Sequence, residues 1–170
     1  MRPVEARVLT ALVALPIVGA VVALVARRSG DAAVRYVALA TSLVAFIVSL
    51  VVWGRFDATS AAYQFVETYA WLPDFGVSYH VGIDGISLLL VVLTTFLTPI
   101  ALLTSWEGIH ERVTAFSVFM LLLEAAMIGV FISLDLFLFY VFWDFMLIPM
   151  YFLIGIWGYD QRIYASIKFL

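Results

Sequence analysis

Long apolar segments separated by short polar ones run through the whole of this 170-residue chain. Each apolar segment holds 19 to 22 residues. A helix of that length rises about 30 Å, which matches the hydrocarbon core of a bilayer. The segments are too long for the strands of a membrane β-barrel, and they lack the alternation of such strands. The pattern therefore predicts an all-α integral membrane protein, a polytopic helical bundle, with spans at residues 8–26, 34–53, 84–105, 113–132 and 136–157.

The connection at residues 54–83 is the one long loop between these spans. Its length and its aromatic residues indicate that it packs on the membrane face of this protein or of a neighbouring one. Asp84 and Ser87 are suited to cap the third span. A sixth helix is predicted to start within residues 163–170, and the apolar pattern stops part-way through it. We therefore interpret the sequence as one membrane domain, residues 1–170, at the N-terminus of a longer protein.

The composition also favours a membrane protein, because 65% of the residues are hydrophobic and the mean hydropathy is +1.12. Soluble domains are only about 45–50% apolar. The sequence contains no cysteine, which excludes disulfides, thiolate-bound iron–sulfur clusters and thiolate zinc sites within it. It also contains no basic patch, nucleotide-binding loop or metal-ligand motif. We therefore expect no nucleic-acid partner, no metal and no cofactor in this chain.

The distribution of basic residues predicts the orientation in the membrane. With the N-terminus outside, six basic residues fall on the cytoplasmic side and three on the outer side, which agrees with the positive-inside rule. The six are Arg27, Arg28, Arg35, Arg112, Arg162 and Lys168, and the three are Arg2, Arg7 and Arg55. The first span is also compatible with a cleaved signal peptide, but its length and the basic pair that follows it favour a membrane helix.

Two carboxylates inside the predicted spans are the candidate functional residues. Asp144 lies about 12 Å along the fifth helix, close to the bilayer midplane, where an acid costs roughly 2.5–3.5 kcal/mol. Glu124 lies in the fourth span, and the short turn at residues 133–135 makes these two helices an antiparallel hairpin. Both acids then lie about 15 Å from that turn. We expect them to form a level pair in an ion or proton path, with at least one of them protonated.

Further polar residues and two prolines accompany these acids. Tyr140 and Tyr151 precede and follow Asp144 by four and seven residues, and Ser117 precedes Glu124 by seven, so each shares a helix face with its acid. They are interpreted as supporting residues of a hydrated path or, equally, as hydrogen bonds that hold helices together. Pro99 and Pro149 lie inside spans, where each is expected to kink its helix.

Three segments resemble subunit M of bacterial respiratory complex I, the NADH–quinone oxidoreductase. Residues 121–158 resemble its fourth and fifth helices most closely, Tyr79–Leu103 resemble its third, and Arg162–Leu170 resemble the start of its sixth. The resemblance implies an antiporter-like fold of about fourteen helices, built from two inverted five-helix repeats. It also implies a bacterial inner-membrane protein whose partners are the lipid bilayer, other membrane subunits and protons.

The same resemblance implies a function for Asp144. Members of this family are thought to move protons while quinone is reduced in other subunits. The chain would then be part of a proton-translocating enzyme and hold no redox centre of its own. Asp144 occupies the position of the essential acid in the family motif WE-x-x-L-I-P-M. The family usually has glutamate there, so the arm of this acid is shorter by one methylene.

Two other functions are compatible with these residues. Antiporter-like subunits of multisubunit cation/proton antiporters and of membrane-bound hydrogenases also use acids in the middle of the membrane. A membrane anchor that transports nothing is the third possibility, and it predicts that both acids can be neutralised without loss of turnover.

Overall fold

The computed structural model describes residues 7–72 and 76–169. Within these residues, six α-helices and a two-stranded sheet follow one another along the chain. Their bounds are α1 Val8–Ala26, α2 Asp31–Arg55, β1 Gln64–Leu72, β2 Val77–Ile83, α3 Gly85–Thr104, α4 Val113–Ile132, α5 Leu136–Trp157 and α6 Arg162–Phe169. Helices α1 to α5 are each long and apolar enough to cross a membrane, which confirms the predicted polytopic helical fold. Arg2, residues 73–75 of the long loop and Leu170 lie outside the described residues.

Helix α4 lies in the middle of the bundle and packs against α1, α2, α3 and α5. Helix α5 lies at the edge, where it contacts α4 and α6 and buries few side chains of its own. Pro99 and Pro149 are buried inside α3 and α5, which continue past them as single helices. The kinks expected at these prolines remain predictions.

Two helices begin with side-chain caps that their sequences encode. The Asp84 carboxylate accepts a hydrogen bond from the Ser87 N–H at 2.8 Å, and the Ser87 hydroxyl oxygen accepts one from the Asp84 N–H at 2.9 Å. This reciprocal pair is the predicted cap of α3, and the backbone hydrogen bond from Ser87 is the main cause that lowers the pKa of Asp84. Asp135 caps α5 without a reciprocal bond, by accepting from the N–H groups of Phe137 and Leu138.

The long loop contains a β-hairpin that the sequence analysis did not predict. Strands β1 and β2 pair antiparallel, and the hairpin lies on the end of the bundle where α4 meets α5. There the Leu134 N–H donates to the His80 carbonyl at 2.9 Å, and the Ser78 N–H donates to Asp135 at 3.2 Å. The loop therefore packs on this protein, which is one of the two expected placements. Its β-branched and aromatic residues are the signal that could have identified the strands.

The hairpin also supplies the missing cap of α1. The side chain of the N-cap residue Arg7 makes no capping hydrogen bond to α1. Instead, Glu67 of β1, which is only 3% exposed, accepts hydrogen bonds from the Leu9 N–H at 2.9 Å and the Thr10 N–H at 3.3 Å. The Thr10 hydroxyl also donates to the Glu67 carboxylate. A residue of a strand thus caps the N-terminus of a helix that lies 57 residues away in sequence.

Replacing Glu67 by Ala is expected to destabilise the protein by about 2–4 kcal/mol. The change leaves the backbone N–H groups of Leu9 and Thr10 without an acceptor, and an unsatisfied buried donor costs about 1–3 kcal/mol. The shift of the thermal unfolding midpoint of the full-length protein in lipid nanodiscs measures this loss. Thr68→Ala is the matched control, because the neighbouring side chain is exposed on the other side of the strand. Equal midpoints for the two variants would contradict the capping role.

Candidate functional site: two carboxylates in the membrane helices

Glu124 of α4 lies inside the bundle. Its side chain is 1% exposed, and neither carboxyl oxygen has a hydrogen-bond partner among the described residues. Buried polar groups in folded proteins are almost always paired, and each exception requires an explanation. Water or an ion that occupies the site is one such explanation.

A groove of about 260 Å³ between α3 and α4 is the space that Glu124 lines. Most of its walls are apolar, and Glu124, Thr94 and Thr98 are the polar residues among them. The apolar lining consists of Leu90, Leu93, Leu97, Ala101, Met120, Leu123, Met127 and Phe131. The groove therefore holds one carboxyl and two hydroxyl groups inside a largely apolar surface.

The two threonine hydroxyls of this groove donate to their own helix. Thr94 Oγ1 donates to the Leu90 carbonyl at 2.8 Å, and Thr98 Oγ1 donates to the Thr94 carbonyl at 3.0 Å. This is the usual arrangement for threonine in a membrane helix. Each hydroxyl hydrogen is thereby engaged, while the oxygen lone pairs stay available as acceptors.

Asp144 lies on the opposite, open side of the hairpin formed by α4 and α5. The aspartate is exposed, as are Tyr140 and Ile148 one turn before and after it. These three residues form a continuous row, the α5 stripe, which no described part of the chain covers. Tyr151 is half-buried instead, and it lines a cavity between α5 and α6 with Ile163 and Ser166.

The expected pairing of Glu124 with Asp144 is wrong. The side of α4 that faces α5 is marked by Gly129, which lies against Phe142, and by Phe119, whose ring stacks on Phe152 at 5.0 Å. Glu124 is five residues from each of these α4 positions, and five residues turn a helix by about 140°. Glu124 therefore faces away from α5. Counting residues from the turn places both acids along their helices, but it does not give the direction around each axis.

Ser117 is also separated from the groove of Glu124. It is 2% exposed and lines a different cavity, of about 10 Å³, near the connection between α3 and α4. Arg35 shares that cavity and donates to the carbonyl groups of Trp106 and Ile109. Among the residues that the structure describes, no cluster of three or more His, Asp or Glu side chains is arranged to hold a metal ion.

Thr94 and Thr98 are the site residues that the sequence analysis did not select. Both hydroxyls donate to carbonyl groups of their own helix, the ordinary arrangement for a membrane threonine. Their spacing of four residues placed them on one face of α3. No local sequence pattern indicates that Glu124 of α4 lies against this face of α3.

Comparison with known proteins identifies the family. The family described as "NADH:quinone oxidoreductase/Mrp antiporter, TM" matches residues 133–170. Subunit M of the NADH-quinone oxidoreductase of Rhodobacter capsulatus is 49% identical over 153 residues, which cover 88% of this chain and 29% of that protein. The chain is a homologue of subunit M.

A plant relative supports the same family, since chain 4 of the NADH-ubiquinone oxidoreductase of Arabidopsis thaliana is 43% identical over 162 residues. That match covers 95% of this chain and 33% of the plant protein. The chain thus spans about a third of the length of the curated relatives that it matches. The suspected relationship to subunit M is confirmed.

Solved structures show the same fold at lower sequence identity. A chain of the Mrp complex from a Dietzia species superposes with a TM-score of 0.76 at 18% identity, over 94% of this chain and 17% of that chain. A chain of an archaeal membrane-bound sulfane sulfur reductase superposes with a TM-score of 0.74 at 19% identity, over 96% of this chain and 33% of that chain. The helical arrangement of this subunit M homologue is therefore shared by one chain of each of these two complexes.

Proposed function

We propose that this chain belongs to a membrane subunit that conducts protons in an NADH–quinone oxidoreductase, while quinone is reduced in other subunits. Its sequence similarity to subunit M of known NADH–quinone oxidoreductases supports the assignment to that complex. The observation that carries the proton-conducting role is Asp144, an acid in the middle of the apolar helix α5. An acid at this depth is costly to insert and is rare outside ion and proton paths.

Asp144 is the working acid of this proposal. Helix α5 has 22 residues and a length of about 33 Å, and Asp144 lies about 12 Å from its start. The α5 stripe leaves the carboxylate free to meet a group beyond the described residues. Such a group would be a basic side chain or a water chain, because an acid inside a membrane is normally paired or hydrated. Tyr140 adds a hydroxyl on the same side of the helix.

Glu124 serves as a separate proton-binding position, not as the partner of Asp144. An isolated carboxylate in an apolar groove is far too costly to stay unpaired, so Glu124 holds a proton or another cation. Ser117 provides a polar position on α4 between Glu124 and the connection to α3, about 10 Å from the acid along the helix. Tyr151 lines the cavity between α5 and α6. Its hydroxyl would therefore contribute to a proton path only on that side of α5.

The hairpin end of the bundle faces outwards in this proposal, with the N-terminus outside. The basic residues support this orientation, because Arg27, Arg28, Arg112 and Arg162 all lie at the opposite end of the helices. The membrane would be the bacterial inner membrane. The immediate partners are lipid, other membrane subunits of the complex and the translocated protons.

An antiporter-like subunit of a cation/proton antiporter is the second candidate. The fold likeness to a chain of the Mrp complex favours it, and an acid such as Asp144 suits that machine equally well. The same helices are also compatible with a subunit of a membrane-bound hydrogenase and with a membrane anchor that transports nothing.

Purification of the full-length protein through an affinity tag distinguishes these candidates. The proposal expects NADH–quinone oxidoreductase activity to purify with the tagged protein, at a constant ratio of activity to tag across gel filtration. The same purification from cells that lack the tag is the control. A stable complex that supports sodium/proton exchange or hydrogen production, and does not oxidise NADH, would overturn the assignment.

A further inference from the structure

A groove of about 470 Å³ runs between α1 and α2 on the outside of the bundle. Its floor lies at Gly19, where the two helices approach so closely that a Cβ atom would overlap the Thr41 side chain. The other walls of the groove are aliphatic and consist of Ala11, Ala14, Leu15, Val18, Val22, Ala40 and Val44. Most of these side chains are exposed, so no described part of the chain fills the groove.

The groove suits an apolar occupant of the length of a lipid chain. Thr41 is its one polar residue, and the Thr41 hydroxyl already donates to the Val37 carbonyl of its own helix at 2.8 Å. From Ala11 to Val22 the groove follows α1 for about 16 Å. One leaflet contributes half of a hydrocarbon core about 30 Å thick. The groove therefore matches an acyl chain in both polarity and length.

Two arginines lie where the groove approaches the membrane surface. Arg27 follows Val22 by five residues, which is about 8 Å along the helix axis, and Arg28 is next to it. Both are exposed and belong to the short 3₁₀ turn Arg27–Ser29, which joins α1 to α2. The Gly30 N–H closes this turn by donating to the Arg27 carbonyl at 3.3 Å, and the Gly30 φ of +100° favours glycine. The connection thus fixes the backbone of both arginines beside the end of the groove.

The charges of this connection leave a positive surplus. Asp31 is its acid and balances one of the two arginines. Arg35, one turn further along α2, is engaged by two carbonyl groups of the connection between α3 and α4. A guanidinium group binds a phosphate through two parallel hydrogen bonds, and basic residues beside membrane helices attract anionic lipid headgroups. This end of the groove is therefore complementary to a phosphate at the membrane surface.

We propose that the groove between α1 and α2 binds one anionic glycerophospholipid, with an acyl chain along the groove and the headgroup phosphate at Arg27 and Arg28. A phospholipid carries its negative charge at the membrane surface directly above its apolar chain, which is the order of charge and apolar surface found here. A helix of another subunit would have to bring an acid to the same place. The site is separate from the proposed proton path, because neither Asp144 nor Glu124 lines the groove.

Photo-crosslinking of lipid to the full-length protein in its native complex tests this site. The complex would be placed in nanodiscs of phosphatidylcholine with a small fraction of phosphatidylglycerol that carries a diazirine in one acyl chain. Light attaches that chain to the side chains beside it, and peptide mass spectrometry locates the adducts. Unlabelled phosphatidylglycerol, or the same amount of additional phosphatidylcholine, would be included as competitor.

We expect adducts on the residues that line the groove, and we expect phosphatidylglycerol to reduce their yield several-fold more than phosphatidylcholine does. Absence of lipid adducts from the groove, with labelling elsewhere on the protein, would overturn the proposal and indicate that another subunit covers this face. Equal competition by the two lipids would also overturn it, since the groove would then hold ordinary bilayer lipid.

The headgroup contacts are tested by the double variant Arg27→Gln with Arg28→Gln. We expect this variant to lose the several-fold preference for phosphatidylglycerol while the groove stays accessible to lipid. Arg55→Gln is the matched control, because Arg55 is an exposed arginine at the opposite end of α2. An unchanged preference in the double variant would remove these arginines from the site and contradict the proposal.

The acyl-chain contacts are tested by Val18→Phe, which places a larger side chain in the groove. We expect a several-fold lower yield of adducts on the groove residues. Val21→Phe is the matched control, since Val21 is a valine of the same helix with nearly the same exposure, 56% against 59%, and does not line the groove. Equal yields for the two variants would contradict an acyl chain between α1 and α2.

Discussion

Replacing Asp144 by Asn in the full-length protein is expected to lower quinone-dependent NADH oxidation and proton pumping together, by about 10²-fold. Asparagine keeps the size of the side chain but cannot take up or release a proton. Removal of a proton-transfer group typically costs about 10²–10⁴-fold in rate. Sealed membrane vesicles allow the oxidation rate and the pH gradient to be followed in the same sample, with the amount of assembled complex measured alongside.

Two variants control this experiment. Asp144→Glu keeps the acid and restores the longer arm that is usual in the family, so it is expected to retain most of the activity. Asp160→Asn removes an exposed acid that follows α5 and is expected to leave both rates unchanged. If the Asp144→Asn variant assembles normally and keeps both rates, Asp144 is not the working acid.

Replacing Gly129 by Val is expected to prevent α5 from packing on α4. A Cβ atom at Gly129 would overlap the Phe142 ring, lying 2.6 Å from its Cε1 atom. Overpacking a close contact costs about 1–3 kcal/mol, and more when neither helix can shift. We therefore expect a lower thermal midpoint and a reduced amount of assembled complex, measured by native gel electrophoresis of solubilised membranes.

Gly54→Val is the matched control for this change. Gly54 is also a helical glycine, in the last turn of α2, and a Cβ atom there would meet nothing within 4 Å. The double variant Gly129→Val with Phe142→Leu should recover part of the assembly, because leucine vacates some of the ring volume. Normal assembly of the Gly129→Val single variant would contradict the packing of α5 on α4.

The helices could be predicted from the sequence because their causes are local. An apolar run of bilayer length requires a helix, since backbone groups in hydrocarbon have no other hydrogen-bond partners. The cap formed by Asp84 and Ser87 lies within four residues, so the sequence contains both of its halves. Asp135 caps α5 in the same local way.

The interaction of Glu67 with α1 could not be predicted in this way. The carboxylate and the backbone groups that it caps are 57 and 58 residues apart, and they meet only because the hairpin folds over the end of the bundle. The sequence predicts only a loop at the hairpin, because the segment is a long connection between two membrane spans. The buried position of Glu67 follows from tertiary packing, not from any pattern around it.

The two membrane acids illustrate the same limit within helices. Their depth follows from the rise per residue, but the side of the helix on which each lies depends on which neighbours the helix packs against. Helix α4 is surrounded, so Glu124 is buried, whereas α5 lies at the edge, so Asp144 is exposed. The sequence therefore identified both acids and predicted the wrong relation between them.

The surroundings of Asp144 in the complete complex test the central claim most directly. Electron cryo-microscopy of the full-length protein in its complex, in lipid nanodiscs, would show what covers the α5 stripe. We predict that protein covers it, with a basic side chain or ordered water within hydrogen-bonding distance of the Asp144 carboxylate. Acyl chains of lipid along Tyr140 and Ile148, with Asp144 lacking any polar partner, would contradict a proton path through this helix.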